Sequence, residues 1–118
     1  MITLDNDISV FIYTASIDMR KSINGLVVLI VESMKLEPRS KIVFLFHNKT
    51  RDKVKGILWH YDGFILLYKR KEKGKFKFPK DISESYYQID NDLLQWLLKG
   101  FDFYLLKQHP ELKISQYF

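Results

Sequence analysis

The legible hydrophobic pattern opens at Ile8 to Tyr13, an apolar run of β-branched and aromatic residues whose length predicts a first strand. Asp18 then offers an N-cap oxygen ahead of Ile23, Leu26, Val27, Ile30, Val31 and Met34, which fall on one stripe of a helix. The spacing predicts a long helix from about Met19 to Lys35, ended by Pro38, whose ring disfavours helical geometry in the residue before it. Gly25 lies inside that helix at a cost of about 1 kcal/mol relative to Ala, so the sheet is expected to approach the helix there.

From Lys41 the period shortens. Ile42 to Phe46 reads as a fully apolar strand, followed by a polar loop from His47 to Lys53. Val54 to Tyr61 and Phe64 to Arg70 flank Asp62-Gly63, a pair that predicts a type I′ hairpin because both central residues need positive φ. After Lys71-Glu72-Lys73-Gly74, the stretch Lys75 to Phe78 alternates with period two, phenylalanines toward the core and lysines toward solvent, and stops at Pro79. The middle of the chain thus reads as a four-stranded antiparallel meander, with the first strand added at an edge. Asp90 or Asn91 caps a short helix carrying Leu93, Leu94, Trp96, Leu97 and Leu98, with Gly100 where a left-handed cap would sit. A second short helix is expected over 101–107, and the residues from Pro110 are expected to be loosely held.

With no internal repeat, low-complexity tract or linker, the whole chain, 1–118, reads as a single domain with a C-terminal helical segment at about 88–107. The expected fold class is α+β: an antiparallel four- to five-stranded sheet packed by one long N-terminal helix, with short C-terminal helices. At 118 residues there is no room for a separate catalytic module, and 47% hydrophobic residues suffice for a core. The absence of cysteine excludes a disulfide framework, a thiolate zinc site and a cysteine nucleophile. The longest apolar run, Leu26 to Val31, is far short of the roughly 20 residues a bilayer requires. No signal-like organisation opens the chain, so a cytoplasmic protein without membrane contact is expected.

Charge changes the picture more than composition does. The formal net charge of +5 is concentrated in two stretches. Residues 47–55 sum to +3, from Lys49, Arg51, Lys53 and Lys55 against Asp52. Residues 69–80 sum to +6, from Lys69, Arg70, Lys71, Lys73, Lys75, Lys77 and Lys80 against Glu72. Clustered cations create a directed field suited to an anionic partner, nucleic acid being the commonest. The alternative is an edge strand protected from aggregation by lysine. Aromatics share these hairpins. Trp59 and Tyr68 are candidates to stack on exposed bases beside phosphate-neutralising lysines, whereas Phe76 and Phe78 read as core.

Catalytic chemistry is poorly represented. His47, His60 and His109 have no metal-ligand spacing; His47 falls in the basic loop, and His60 reads as a sheet-face residue. The aspartates fall mostly at caps and turns, where they have local structural work. No phosphate-cradling glycine loop or serine elbow occurs, which leaves only a carboxylate pair assembled in space as a route to nuclease chemistry.

The order of motifs carries more information. Asp18-Met19-Arg20-Lys21 with Gly25-Leu26, Phe44-x-Phe46 before a basic loop, Lys55-x-x-Leu58-Trp59, Asp62-Gly63-Phe64, Leu67-Tyr68-Lys69-Arg70 and Gly74-x-Phe76-x-x-Pro79 occur in succession. Together they resemble the small accessory protein of bacterial insertion sequences of group sixty-six. That protein is the second open reading frame product, often called TnpB, and is unrelated to the RNA-guided nuclease that shares the name. The likeness covers residues 8–79, with a weaker echo at Leu97-Leu98-Lys99-Gly100. Ser22 stands where the family commonly has glycine, and Lys77-Phe78 where a basic residue with tryptophan is common.

The resemblance implies an accessory role in DNA transposition beside a separate, larger transposase that carries the chemistry, with DNA or the transposase as direct partner; the chain is expected to be noncatalytic and to need no cofactor. It draws attention to Arg20, Lys21, Lys55, Trp59, Tyr68, Lys69, Arg70 and Gly74. Arg20 and Lys21 would stand at the start of the first helix, where backbone amides also attract phosphate. The expected interface is therefore Arg20 and Lys21, the loop from Lys49 to Lys55, Trp59 and Tyr68, and the basic hairpin from Lys69 to Lys75. A pure protein-interaction module that docks on the transposase without touching DNA is the competing expectation.

Overall fold

A computed structural model describes residues 8–79 and 81–98. Its elements run β1 (Ser9–Tyr13), α1 (Ile23–Glu32), β2 (Ile42–His47), β3 (Lys53–His60), β4 (Gly63–Arg70), β5 (Tyr86–Ile89) and α2 (Asn91–Leu98). The strands form one sheet in the order β4-β3-β2-β1-β5. The pairs β4/β3, β3/β2 and β1/β5 are antiparallel, but β1 and β2 are parallel, with Phe11 opposite Phe44.

Two expectations are corrected by this topology. The sheet is mixed rather than antiparallel, because α1 carries the chain back along the sheet between β1 and β2, so both strands run the same way. β1 is also not an edge strand: β5, which the sequence reading did not anticipate, pairs along its other side. The meander contains only β2, β3 and β4; residues 75–78 run extended outside the sheet. Their alternation nevertheless has the expected sense, with Phe76 and Phe78 buried and Lys75 and Lys77 exposed.

There is also no long N-terminal helix. α1 has ten residues and starts at Ile23. Asp18 does not cap it. Its carboxylate accepts the Arg20 backbone N–H at 2.8 Å and the Arg20 guanidinium at 2.6 Å, while its carbonyl accepts the Lys21 N–H at 3.1 Å. These bonds close a turn over 18–21 and leave Ser22 as the N-cap residue. At the other end Lys35 adopts positive φ, and the Leu36 N–H returns to the Ile30 carbonyl. The sheet does not approach Gly25 either. A Cβ there would meet only the Lys21 side chain, at ordinary contact distances from 3.5 Å.

Each face of the sheet has its own core. On one face α1 packs Leu26, Ile30 and Met34 onto Phe44, Phe46 and Ile57. On the other, Phe76, Phe78 and Leu94 of α2 cover Val10, Ile12, Val43, Leu45, Val54, Leu58 and Ile89. Alternation along β2 and β3 supplies both sets, which is why these strands read as unbroken apolar runs. Val31, placed on the apolar stripe by its spacing, is instead about half exposed, as is Val28.

The hairpin between β3 and β4 is displaced by one residue from the expected position. His60 pairs with Gly63, so the two-residue loop is Tyr61-Asp62. Tyr61 alone has positive φ, at 55°, so the turn is not type I′. The expected helix at 101–107 lies outside the described residues. Among the described residues, no helix is long and apolar enough to cross a membrane.

Candidate nucleic-acid interface

The loop between β2 and β3 is shaped by its own polar side chains. Asn48 donates to Asp52 at 2.6 Å and to Thr50 at 3.0 Å, and Thr50 donates to Asp52 at 2.8 Å. The Asn48 side-chain oxygen accepts the Lys53 N–H at 3.1 Å. Hydrogen bonds from Asn48 and Thr50, aided by Lys53, hold the Asp52 carboxyl down from an ordinary 3.8 to about 2. Within this network Arg51 takes a left-handed conformation, with φ 60°. The cations of the loop are thus carried on a fixed backbone rather than a loose one.

The second basic segment is fastened to the first. The Lys71 N–H donates to the Asp52 carbonyl at 2.7 Å, and the Phe76 N–H donates to the Arg51 carbonyl at 2.7 Å. Phe76 and Phe78 anchor the segment from below, and Gly74, with φ 76°, turns the chain between them and β4. Two stretches separated by β3 and β4 in sequence therefore meet at one end of the sheet. That end gathers Lys49, Arg51 and Lys53 with Lys69, Arg70, Lys71, Lys73 and Lys75.

Some of this charge is locally balanced. Arg70 pairs with Glu72 at 2.8 Å, Lys53 with Asp52 at 3.6 Å, and the Lys71 ammonium stands 5.7 Å over the Phe76 ring. Lys49, Lys73 and Lys75 are exposed. His47, at the end of β2, is buried and stacks on Phe78 at 4.4 Å, with Nδ1 3.0 Å from the Asn48 carbonyl. Burial disfavours its cation and pushes its pKa below the ordinary imidazole value. It supports the loop from inside and presents no cation to solvent.

Lys55 departs from its expected role. It is only 7% exposed, and its ammonium points inward, donating to the Met19 carbonyl at 2.6 Å and the Lys21 carbonyl at 2.8 Å. Tyr68, its cross-strand neighbour, covers it, with the ammonium 5.2 Å from the ring centroid. Lys55 is a clip that holds the 18–21 turn against β3, on the same face as Lys53 and Arg70. Arg20 and Lys21 are exposed on that turn, so they join the basic end without contributing a helix N-terminus, since α1 begins later. Arg20 remains paired with Asp18, whose carboxyl is held down to about 2 by that guanidinium and by the Arg20 amide.

Trp59 is the residue the structure separates from the rest. It lies near the far end of β3, edge-on to Phe64 at 5.0 Å and beneath the Arg39 guanidinium at 5.4 Å. Six residues of strand, about 20 Å, part it from Lys53. Arg39 was not singled out in the sequence, because a lone cation after Pro38 carries no pattern. The Asn48-x-Thr50-x-Asp52 spacing, by contrast, could have announced a side-chain-braced loop. Among the described residues, no group of three or more His, Cys, Asp or Glu side chains is placed to hold a metal ion.

The family model described as "IS66 Orf2 like protein" matches residues 8–108. The chain belongs to the IS66 Orf2-like family. The match extends the likeness from residues 8–79 through β5 and α2, and so takes in the strand that pairs with β1. Two proteins of Sinorhizobium fredii (strain NBRC 101917 / NGR234) are similar over nearly the whole length. Uncharacterized protein y4jC is 29% identical over 93% of this chain and 93% of its own, and uncharacterized protein y4hO is 28% identical over 94% and 92%. No solved structure matches. Membership of the IS66 Orf2-like family places the protein among the accessory products of insertion sequences.

Proposed function

We propose that this IS66 Orf2-like protein is a noncatalytic accessory factor that binds DNA through the basic end of its sheet and assists the separate transposase of its element. The observation that carries the reading is the pair of backbone hydrogen bonds from Lys71 and Phe76 to Asp52 and Arg51. They hold two distant basic segments together at the backbone, so the ordering left for a ligand to impose is mainly that of the side chains. Lysine-rich edge protection would need no such fastening. Phosphate neutralisation by Lys49, Lys73, Lys75 and their neighbours would supply affinity through counterion release.

The test is a fluorescence-anisotropy titration with an element-end duplex, a scrambled duplex and a single strand, each at two salt concentrations. Salt-sensitive binding to DNA is the expected result, and preference for the end duplex would make the protein a targeting factor. Absence of binding to all three at low salt would overturn the reading. A second reading, direct docking on the transposase without DNA contact, is favoured by the exposed apolar residues Val28, Val31 and Leu66. Co-purification with the transposase that survives high salt would support it.

A further inference from the structure

Among the described residues β4 is one of the two edges of the sheet, opposite β5, and its chemistry is that of a strand awaiting a partner. It runs eight residues in unbroken register with β3, from Arg70 opposite Lys53 to Gly63 opposite His60, without a bulge or a proline. Native edges are ordinarily blunted by such devices or by charge along the strand. Here the cations occupy only the last two positions, Lys69 and Arg70, and Phe64 to Tyr68 is apolar or aromatic throughout. Leu66 and Tyr68, two of the large hydrophobic side chains left exposed, lie on this strand.

The direction of its free backbone groups is fixed by two hydrogen bonds. The Lys71 N–H reaches the Asp52 carbonyl, which continues the β3/β4 ladder one pair beyond Arg70 and turns the odd-numbered amides of β4 toward β3. The Asn48 N–H reaches the Lys53 carbonyl, which turns the odd-numbered groups of β3 toward β2 and so agrees with that alternation. Phe64, Leu66, Tyr68 and Arg70 therefore direct their N–H and C=O groups outward.

We infer that a second copy of this chain pairs with β4, antiparallel, about a two-fold axis at Leu66. In that register Leu66 faces Leu66 of the other copy, Phe64 faces Tyr68, and Arg70 faces Asp62, each contact occurring twice. Every pair uses residues whose backbone groups point outward. The aromatic residues meet one another, and the cation at one end of β4, already paired with Glu72 at 2.8 Å, gains the acid in the turn at the other as a second partner. On the opposite side of the strand Ile65 meets Leu67. A shift of the axis by one residue to Leu67 would place Arg70 opposite Phe64 and leave Asp62 without a cation, so charge complementarity selects the first register. The result is a continuous ten-stranded sheet, formed without DNA.

The absence of cysteine makes the test clean. Across a hydrogen-bonded antiparallel pair Cα atoms lie about 5.5 Å apart, within disulfide range. Leu66→Cys is therefore expected to give a disulfide-linked dimer under mild oxidation. Phe64→Cys, whose two copies would stand four residues apart, about 14 Å, is expected to stay unlinked. Sedimentation of the unmodified full chain should give a dimer of twice 14.2 kDa. Asp62→Lys and Arg70→Asp should each weaken the dimer about threefold to tenfold, and the double variant should recover most of the loss. A chain that remains monomeric at several hundred micromolar overturns the inference. A dimer that Leu67→Cys links and Leu66→Cys does not overturns the register, as does a double variant no better than the singles.

Discussion

Lys55 is a lysine that works by facing inward. Replacing it with Met would leave the Met19 and Lys21 carbonyls without their donor and remove the cation beneath the Tyr68 ring, at a cost of about 2 kcal/mol. Thermal melts of Lys55→Met should show that loss, while the salt slope of any DNA binding stays at the unmodified value. Sequence reading placed Lys55 with the phosphate-binding lysines because residue type and neighbourhood look the same whichever way a side chain points. Only its strand register, opposite Tyr68 and beside Ile57, reveals the inward direction. Acid sensitivity belongs to this scale as well. Asp18 and Asp52 both have carboxyls lowered from 3.8 to about 2, so the folded state binds fewer protons than the unfolded chain. Their contribution is complete above about pH 4 and is lost as pH falls toward 2. His47, its cation disfavoured by burial, acts in the same direction from the ordinary imidazole value downward. A denaturation series should show stability falling below about pH 6.5 and again below about pH 4, and Phe in place of His47 should remove the first fall.

At the scale of elements, two glycines make opposite predictions. A Cβ at Gly25 meets only the flexible Lys21 side chain, so Gly25→Ala should stabilise by about 0.5–1 kcal/mol through helix propensity alone. A Cβ at Gly56 would stand 3.1 Å from Cδ2 of the buried Leu45, tighter than ordinary contact, and 3.4 Å from Leu67 Cβ. Gly56→Ala should therefore destabilise by about 1–3 kcal/mol, and paired melting curves would check both signs. The elements themselves were largely legible: β1, β2, β3 and β4 fall close to where the hydrophobic runs put them. Their arrangement was not. A strand, a helix and a second strand in succession are compatible with a parallel pair, but the apolar runs and turn residues downstream carry only antiparallel signals. β5 is four residues of mixed character, Tyr86-Tyr87-Gln88-Ile89, and gains its identity only by lying against β1. The helix was overestimated because an apolar stripe continues through Met34, where the chain has already left helical geometry.

For the molecule as a whole, the concentration of charge was visible in the sequence, but its assembly into one surface was not, since that depends on bonds between segments some twenty residues apart. If the surface acts as a unit, position within it matters less than count. Each exposed cation removed should lower the magnitude of the salt slope by about 0.9, whichever face of the sheet it leaves from. Charge reversal at Lys69 and Arg70, which belong to opposite faces of β4, tests this directly. A slope reduced by about two or more is expected, and an unchanged slope would remove this end of the sheet from the interface.

The place of β1 has a consequence for how the chain comes into being. β1 is made well before one of its two neighbours, β5; Gln88 reaches Ser9 across 79 residues. Until then Val10 and Ile12 lie along a seam with one side open. A gene interrupted after the basic hairpin would therefore encode every cation proposed to bind DNA while lacking β5, the strand that flanks β1 on the opposite edge of the sheet.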